Sequence, residues 1–239
     1  MPSTKTIAQT LAWVGAYIVQ RPTSGVISAT EPGLTAANKI FGTIGAPPFR
    51  WNWNRKELQN AFVTLPGVTD YTLALSDFGY LEKATSFIAA DDPPMREIEV
   101  VQNLAQESKQ NPPQKICAFI DDGAGNITFR VLPNPDRAYQ MTIIYQKAMP
   151  VVTSLGALWS PIPDKYSFLY ETGMMAHMQG MYNAQLYALN MEIFFRQLLG
   201  AAEGISESER AIFLDDRLRD LRAQTVGLTG AQQGRQVRV

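Results

Sequence analysis

The spacing of hydrophobic residues changes twice along this chain, and that change limits the folds open to it more than any other feature. Near the N-terminus hydrophobic residues recur every three or four positions, the period of an amphipathic helix: Ile7, Leu11, Val14 and Ile18. Between about residues 49 and 147, short runs that alternate hydrophobic with polar residues are separated by turn sequences, which is typical of β-strands. From Pro163 onward the helical period returns. Helices at both ends with strands between them predict an α+β protein.

Two helices are predicted before the strand region. The first covers about residues 4–19, with Thr4 or Thr6 as its N-cap. The second covers residues 31–45, because a glycine at its end and two prolines just beyond it stop a helix.

The C-terminal part of the chain contains a long segment, residues 165–199, that is apolar on almost all sides. Small residues recur in it every three or four positions and would let another helix approach closely: Gly173, Ala176, Gly180 and Ala184. A final helix is predicted to open with a capping box, in which Ser206 is the N-cap and Glu209 the third helical residue. After Val226 the chain has no apolar period, so this tail is expected to be disordered in isolation.

These patterns predict a helical bundle formed by the N- and C-terminal segments, with an inserted antiparallel β-rich domain and a flexible C-terminal arm. The predicted boundaries are residues 1–48 for the N-terminal helices, 49–150 for the β-rich domain, 151–226 for the C-terminal helices and 227–239 for the arm.

The stretch FRWNWNR, residues 49–55, holds two of the four tryptophans in an aromatic–polar alternation. Alternation predicts a strand with Trp51 and Trp53 on one face and Asn52 and Asn54 on the other. Exposed indoles would form a stacking platform for a base or a sugar, whereas buried indoles would be one edge of a core. Because the stretch stands where the helical period gives way to the strand period, we interpret both tryptophans as structural. They would seal the junction of the helical body and the β domain, or pack against a neighbouring subunit.

Candidate catalytic and metal-binding residues are few. The only histidine, His177, lies in an apolar segment, which favours a packed or interface histidine, and one imidazole cannot form a histidine-rich metal site. The only cysteine, Cys117, excludes an internal disulfide and is expected to be a buried, inert thiol. Carboxylate pairs occur in predicted loops or on a charged helix, where solvation accounts for them: Asp91–Asp92, Asp121–Asp122 and Asp215–Asp216. With no nucleotide-binding glycine motif present, we predict a protein that is not an enzyme and binds no cofactor and no metal.

Net charge and hydropathy limit the kinds of partner that this chain is expected to bind. A formal net charge of −1 does not favour a surface that coats nucleic acid. No run reaches the ~18 apolar residues of a membrane helix, and the N-terminal segment lacks the continuous apolar stretch of a signal peptide. We therefore expect no membrane partner and a reducing compartment.

Because reactive groups are scarce, we expect a protein that functions by forming interfaces with other proteins. A domain of this size has limited material to cover the apolar segment at 165–199, so neighbouring subunits are expected to help bury it. Three of its residues are candidate structural or interface positions: Met174, Met178 and Tyr182. The end of the tail is a candidate partner-binding arm that orders on another surface: Arg235, Gln236, Arg238 and Val239.

A series of motifs runs through the strand region in a fixed order. After the aromatic stretch come F-x-T-x-x-G, Y-x-L and a D-F turn: Phe62, Thr64, Gly67, Tyr71, Leu73, Asp77 and Phe78. Further on, a strand ends in a proline turn, the next strand ends in a tyrosine and a basic residue, and a proline loop leads to a helix: Leu132, Pro133, Pro135, Tyr145, Lys147, Pro161, Pro163 and Tyr166. Over about residues 49–200, this order and spacing resembles the head-to-tail adaptor (connector) proteins of tailed bacteriophages.

The resemblance implies a structural virion protein. In that family a dodecameric ring below the portal extends the DNA channel and presents a docking surface to the next tail protein. It implies a homo-oligomeric ring, the phage portal protein and a downstream tail or nozzle protein as partners, with only non-specific proximity to packaged DNA. It implies assembly in the host cytoplasm and a final place in the virion neck. Because the family's C-terminal segment often reaches up along the portal, the arm residues would bind the portal. The aromatic motif residues join the two tryptophans as candidate structural or interface positions: Phe62, Tyr71 and Phe78.

Two alternatives stay open. One is another phage neck or tail ring protein, namely a stopper, a tail-completion protein or a tail-tube-like protein, which differs in the partner it touches. The other is a carbohydrate-binding module or glycosidase that uses the tryptophan pair, which requires exposed indoles.

Overall fold

The computed structural model describes the following residues: 3–17, 30–88, 96–103, 109–180 and 184–233. The chain forms two compact units. Arg50–Ala148 is one, which we call the β unit, and Met1–Phe49 with Met149–Val239 is the other, which we call the helical unit. The predicted α+β class is confirmed, whereas the bundle arrangement of the helices and the predicted domain boundaries stay predictions.

The described part of the helical unit contains five α-helices and one 3₁₀ turn. Their bounds are α1 Ile7–Tyr17, α2 Thr30–Gly45, the 3₁₀ turn Asp164–Tyr166, α3 Ser167–Gly180, α4 Ala184–Ala201 and α5 Glu207–Gln233. α3 packs against α1, α2 and α4, and α4 also packs against α5.

Helix α1 begins at the second of the two predicted caps. The Thr6 hydroxyl accepts a hydrogen bond from the Gln9 amide at 3.1 Å, and the Gln9 side chain accepts one from the Thr6 amide at 2.8 Å. This reciprocal pair satisfies two amides that a helix N-terminus leaves without partners. The stripe of Ile7, Leu11 and Val14 is buried as the period predicts, while Ile18 lies outside the described residues.

The apolar segment predicted at 165–199 is two helices rather than one continuous run. α3 ends at Gly180 and α4 begins at Ala184, and the two helices pack on each other. The predicted close approach occurs at both glycines of this series. A Cβ on Gly173 would lie 3.0 Å from Ile40 of α2, and a Cβ on Gly180 would lie 2.6 Å from the Tyr187 ring of α4.

Helix α5 opens with the predicted capping box and continues farther than predicted. The Ser206 hydroxyl accepts from the Glu209 amide at 3.2 Å, and the Glu209 carboxylate accepts from the Ser206 amide at 2.8 Å. The helix runs to Gln233, so residues 227–233, predicted as part of a flexible arm, are helical here. Glycine and glutamine remove the apolar period but do not prevent a helix from being extended by residues added to an existing end. The rest of the arm lies outside the described residues.

The β unit is a nearly closed sheet of seven described strands. Their bounds are β1 Arg55–Val63, β2 Asp70–Ala74, β3 Phe78–Phe87, β4 Arg96–Val100, β5 Lys115–Asp121, β6 Asn126–Leu132 and β7 Gln140–Lys147. Their order across the sheet is β1-β7-β3-β4-β5-β6-β2. Hydrophobic side chains from β3, β4, β5, β6 and β7 fill its core, among them Ile98, Ile116, Phe129, Met141 and Ile143.

One pair of strands departs from the predicted antiparallel arrangement. β4 and β5 run parallel, with Glu99 opposite Lys115 and Val100 opposite Ile116. Residues 101–114 connect them, a length that returns the chain to the same end of the sheet, whereas a tight hairpin would make an antiparallel pair. The other pairs are antiparallel, and DDGAGN joins β5 to β6 as the predicted hairpin loop.

The strand predicted for FRWNWNR is wrong, because residues 52–54 form a turn and β1 begins only at Arg55. The Asn54 amide donates to the Trp51 carbonyl at 2.9 Å, which closes the turn. The Trp51 amide donates to the side-chain oxygen of Gln146 of β7 at 3.2 Å. The two asparagines also do not share a face, since Asn52 is exposed and Asn54 is buried.

Candidate interaction surfaces

The aromatic residues of the sequence motifs meet in one row inside the β unit. Phe62 of β1 stacks on Tyr71 of β2 with ring centroids 4.7 Å apart. Phe129 of β6 continues the row, 6.3 Å from Phe62 and 5.6 Å from Phe78. Phe78 in turn lies 5.3 Å from Tyr145 of β7. Because β1 and β2 are the two edge strands, the stack of Phe62 on Tyr71 joins the two edges of the sheet.

The other two positions of F-x-T-x-x-G hold the turn after β1. Thr64 is fully buried, and its hydroxyl donates to the Arg137 carbonyl at 3.0 Å and accepts from the Tyr139 amide at 2.8 Å. Gly67 has a φ of 75°, a region that favours glycine, and its amide donates to the Pro135 carbonyl at 2.9 Å. The motif residues therefore tie this turn to the proline turn after β6.

A charged network joins the D-F turn to the end of β7. The Tyr145 hydroxyl donates to one oxygen of Asp77 at 2.6 Å, and Lys56 donates to the other at 3.0 Å. Partial burial raises the pKa of Asp77, but the hydrogen bonds from Tyr145 and Lys56 outweigh it and hold that pKa below its ordinary value. The same hydrogen bond from Lys56 raises the pKa of that lysine. Asp77 thus stays ionised and connects β1, β3 and β7.

The motif residues are therefore contacts within the fold. Phe62, Tyr71 and Phe78 are partly buried against the core of the β unit, and their role as interface residues stays a prediction. Sequence reasoning missed Lys56 and Gly79, which hold the same region. A Cβ on Gly79 would lie 2.8 Å from the Gln146 carbonyl oxygen, and its place directly after the D-F pair was the available signal.

The tryptophan pair is not an exposed platform. Trp51 is only 1 % exposed, and its ring centroid lies 5.6 Å from that of the half-buried Trp53. The Asn54 side chain donates to the Lys147 carbonyl at 2.7 Å, so it satisfies a backbone group. A carbohydrate-binding site needs rings that a sugar can reach, and Trp51 does not offer one.

The turn after β1 displays apolar side chains to solvent. Val63 at the end of β1 is exposed, as are Leu65 and Val68 in the turn that follows, whose conformation is held by hydrogen bonds. The Tyr71 hydroxyl accepts from the Leu65 amide at 3.0 Å and donates to the Val68 carbonyl at 2.7 Å. A held loop with exposed aliphatic side chains loses little conformational entropy on contact with a partner.

The two methionines proposed as structural or interface residues lie inside the helical unit. Met174 and Met178 of α3 are buried, so in this conformation their side chains pack within the subunit. Tyr182 lies outside the described residues, as do all four residues proposed for the arm: Arg235, Gln236, Arg238 and Val239.

His177 lines a cleft of ≈ 320 Å³ between α2, α3, α4 and α5. Burial, together with the nearby charge of Lys39, lowers the pKa of His177 to about 4. The Tyr187 ring lies 5.9 Å from the imidazole, and Arg217 and Asp220 of α5 complete the polar part of the lining. At neutral pH the imidazole is uncharged, which suits a packed histidine.

The described residues show no cluster of three or more His, Cys, Asp or Glu side chains that could hold a metal ion. Cys117 is buried, and burial raises the pKa of its thiol. In the hairpin loop, Asp121 and Asp122 accept hydrogen bonds from the amides of Gly123 and Ala124 at 2.8 Å, so turn formation accounts for this carboxylate pair. No helix in the described part of the chain has the length and hydropathy to cross a membrane.

The comparison with protein families gives a match. The sequence model described as SU10 adaptor protein matches residues 46–229, which include every motif residue that carries the resemblance. No curated protein matches the chain.

Proposed function

Because the chain belongs to the SU10 adaptor protein family, a family of phage head–tail adaptors, we propose that it forms a ring between the portal and the tail and extends the DNA channel. The family match over residues 46–229 is the observation that carries this function. A dodecameric ring is the proposed assembly, as the family resemblance implies. The subunits are proposed to assemble in the host cytoplasm and to remain in the virion neck.

The internal contacts of the β unit support a structural function. The motif residues join the edge strands, hold the turn after β1 and connect that turn to β6 and β7. They build a stable subunit rather than a reaction centre, and the exposed aliphatic loop at residues 63–68 is a candidate contact for a downstream tail or nozzle protein.

The charge of the chain supports proximity to DNA without tight binding. Each phosphate that a protein neutralises adds affinity, which would impede the passage of DNA through a channel. A formal net charge of −1 is compatible with contacts that are few and non-specific. On the portal side, the proposed contact is the arm that ends in Arg235, Gln236, Arg238 and Val239.

Light scattering of the full-length protein, alone and mixed with its cognate portal protein, tests this function. We expect a ring-sized complex in at least one of the two samples, and electron microscopy of that complex would count its subunits. A monomer in both samples would overturn the proposal. Binding to the tail tube but not to the portal would move the protein to the stopper or tail-completion group.

A further inference from the structure

Helix α1 has an outward face without any charge. No Asp, Glu, Lys or Arg occurs between Ile7 and Tyr17. The exposed positions of the helix are small or aromatic, with one glutamine: Ala8, Gln9, Ala12, Trp13, Ala16 and Tyr17. Trp13 is 40 % exposed and Tyr17 is 58 % exposed, and their rings touch with centroids 4.9 Å apart. A helix face that stays in water normally carries charged residues, so this face is suited to contact with protein.

Helix α4 has a second outward face, whose centre is aliphatic and whose border carries the exposed Arg196. Leu186, Leu189 and Ile193 are all exposed and follow one another at spacings of three and four. At 100° per residue they lie on the side of the helix away from the buried residues Phe194 and Leu198. α4 is therefore apolar on both its inner and its outer side, and only the inner side is covered within the subunit.

The polar residues beside the α4 face already have partners in the same subunit. The Glu192 carboxylate accepts from the Arg196 guanidinium at 2.7 Å and 3.0 Å. The Asn190 side chain donates to the Leu186 carbonyl at 2.9 Å and to the Gln179 side chain. A partner that covers the apolar centre leaves these pairs at the rim, so little desolvation of unpaired groups is required.

Helix α3 stands between the two faces. α3 packs against both α1 and α4. The outward faces of α1 and α4 stay exposed when these contacts are made. One subunit therefore displays two chemically different apolar faces on separate helices. A heterologous interface, in which one patch of each copy meets a different patch of the next, requires this arrangement.

We propose that α1 of one copy packs through Trp13 and Tyr17 onto the face formed by Leu186, Leu189 and Ile193 of α4 in the next copy. The alanines of α1 leave a groove beside the aromatic pair, and the aliphatic residues of α4 form the ridge that enters it. The aromatic pair supplies the large buried area typical of residues that dominate binding energy. This contact rests on the proposed ring, for which it names the two surfaces.

Two double variants test the contact, each removing one face only. One is Trp13→Lys with Tyr17→Lys, and the other is Leu186→Lys with Leu189→Lys. All four positions are exposed and lysine is a good helix former, so the subunits are expected to fold, which circular dichroism checks. Ile212→Lys is the matched control, because Ile212 is an exposed aliphatic residue of α5 outside both faces.

Under the conditions in which the unmodified chain assembles, we expect each double variant alone to associate at least tenfold more weakly, while the control assembles normally. An equimolar mixture of the two double variants is expected to form dimers and nothing larger. In that mixture one intact α1 face meets one intact α4 face, and the remaining two faces are both removed. If each face paired instead with the same face of another copy, mixing the two double variants would restore no association.

Cross-linking gives a second measurement that does not depend on weakened assembly. A chain with Ala12→Cys is mixed with a chain with Leu189→Cys under mild oxidation, and disulfides are expected between unlike chains only. Rings that form with both double variants, or disulfides between like chains only, would overturn this contact and leave the ring itself in place. A chain that never assembles, alone or with the portal, would overturn both.

Discussion

At the scale of single residues, the β unit depends on polar side chains that serve two partners at once. Thr64 bridges two backbone groups of the segment before β7, and Asp77 accepts from both Tyr145 and Lys56. A buried polar group is stabilising only when it is hydrogen-bonded. These residues therefore select one alignment of the turns, which hydrophobic contact alone does not specify.

Trp51→Ala is expected to lower the free energy of unfolding by ~3–5 kcal/mol, because it removes a large, almost fully buried side chain. Urea unfolding followed by circular dichroism measures the change. Phe119→Ala is the control, since Phe119 is an exposed aromatic residue of the same unit and its loss leaves no cavity in the core. Equal, small effects of the two substitutions would contradict the burial of Trp51 and restore the platform hypothesis.

His177 is expected to make the protein less stable as the pH falls from neutrality. Its pKa is about 4 in the folded protein against 6.5 for an ordinary histidine, so the unfolded chain binds a proton that the folded chain does not. The loss begins near pH 6.5, is complete near pH 4, and amounts to ~3 kcal/mol at ~1.4 kcal/mol per pKa unit.

Urea unfolding at pH 7.5 and pH 4.5 measures this loss, with His177→Gln as the control that does not titrate. Carboxylates also stabilise the fold in a pH-dependent way; hydrogen bonds with Arg130, for example, lower the pKa of Asp70. Their contribution to stability is lost only below the ordinary carboxylate pKa, which is a lower pH range than that of His177. The difference between the two chains in the window from pH 6.5 to 4 isolates the histidine. Identical pH dependence of both chains would refute its burial.

At the scale of elements, an irregular strand decides how the β unit is assembled. β3 pairs with β7 but shifts register between Phe78 and Tyr80 and again between Leu81 and Lys83. The first shift brings the backbone of β7 against Gly79. It also places the Asp77 carboxylate beside Tyr145, so one bulge sets both a close backbone approach and an ionic contact.

Gly79→Ala is expected to destabilise the protein by ~1–3 kcal/mol, because the added Cβ overlaps backbone atoms that cannot rotate away. Thermal unfolding measures the change. Gly42→Ala in α2 is the matched control: its Cβ would meet nothing within 4 Å, and alanine is the better helix former, so the control is expected to be stabilising. A stabilising effect at position 79 would mean that the two strands do not approach as closely as described.

At the scale of the whole molecule, the β unit is an insertion whose two ends leave from neighbouring strands. Arg55 at the start of β1 pairs with Gln146 near the end of β7, and the Lys147 amide donates to the Asn54 carbonyl at 3.0 Å. An insertion with adjacent ends leaves the two flanking segments free to meet, as they do in the helical unit.

The segment 50–148 is expected to fold when it is produced by itself, since it contains its own hydrophobic core and both of its ends are paired. A single cooperative thermal transition, followed by circular dichroism, would support this expectation. Phe129→Ala in the same segment is the companion variant and should lower the transition temperature, because Phe129 is central to the aromatic row. A gradual change without a transition would show that the segment requires the helical unit.

Much of this architecture follows from local pattern. Helix spacing and capping chemistry act over four residues, so the Thr6 cap, the end of α2 at Gly45 and the Ser206 capping box could all be predicted. Turn sequences likewise predicted the hairpin at 121–126. The motif order predicted the adaptor family, which the match over residues 46–229 confirms.

Contacts between residues that are distant in the chain could be identified only from the tertiary structure. The alternation in FRWNWNR predicted a strand, whereas residues of the distant strand β7 hold it as a turn: the Gln146 side chain accepts from the Trp51 amide, and the Lys147 carbonyl accepts from the Asn54 side chain. Three other features also depend on contacts between distant segments: the parallel pairing of β4 with β5, the contact of Tyr145 with Asp77, and the exposed outer sides of α1 and α4. A local sequence pattern reflects the interactions between residues that are near one another in the chain. Strand order, the partners of buried polar groups and the exposed faces depend instead on which distant segments meet. Hydrophobic periodicity does not specify which segments those are.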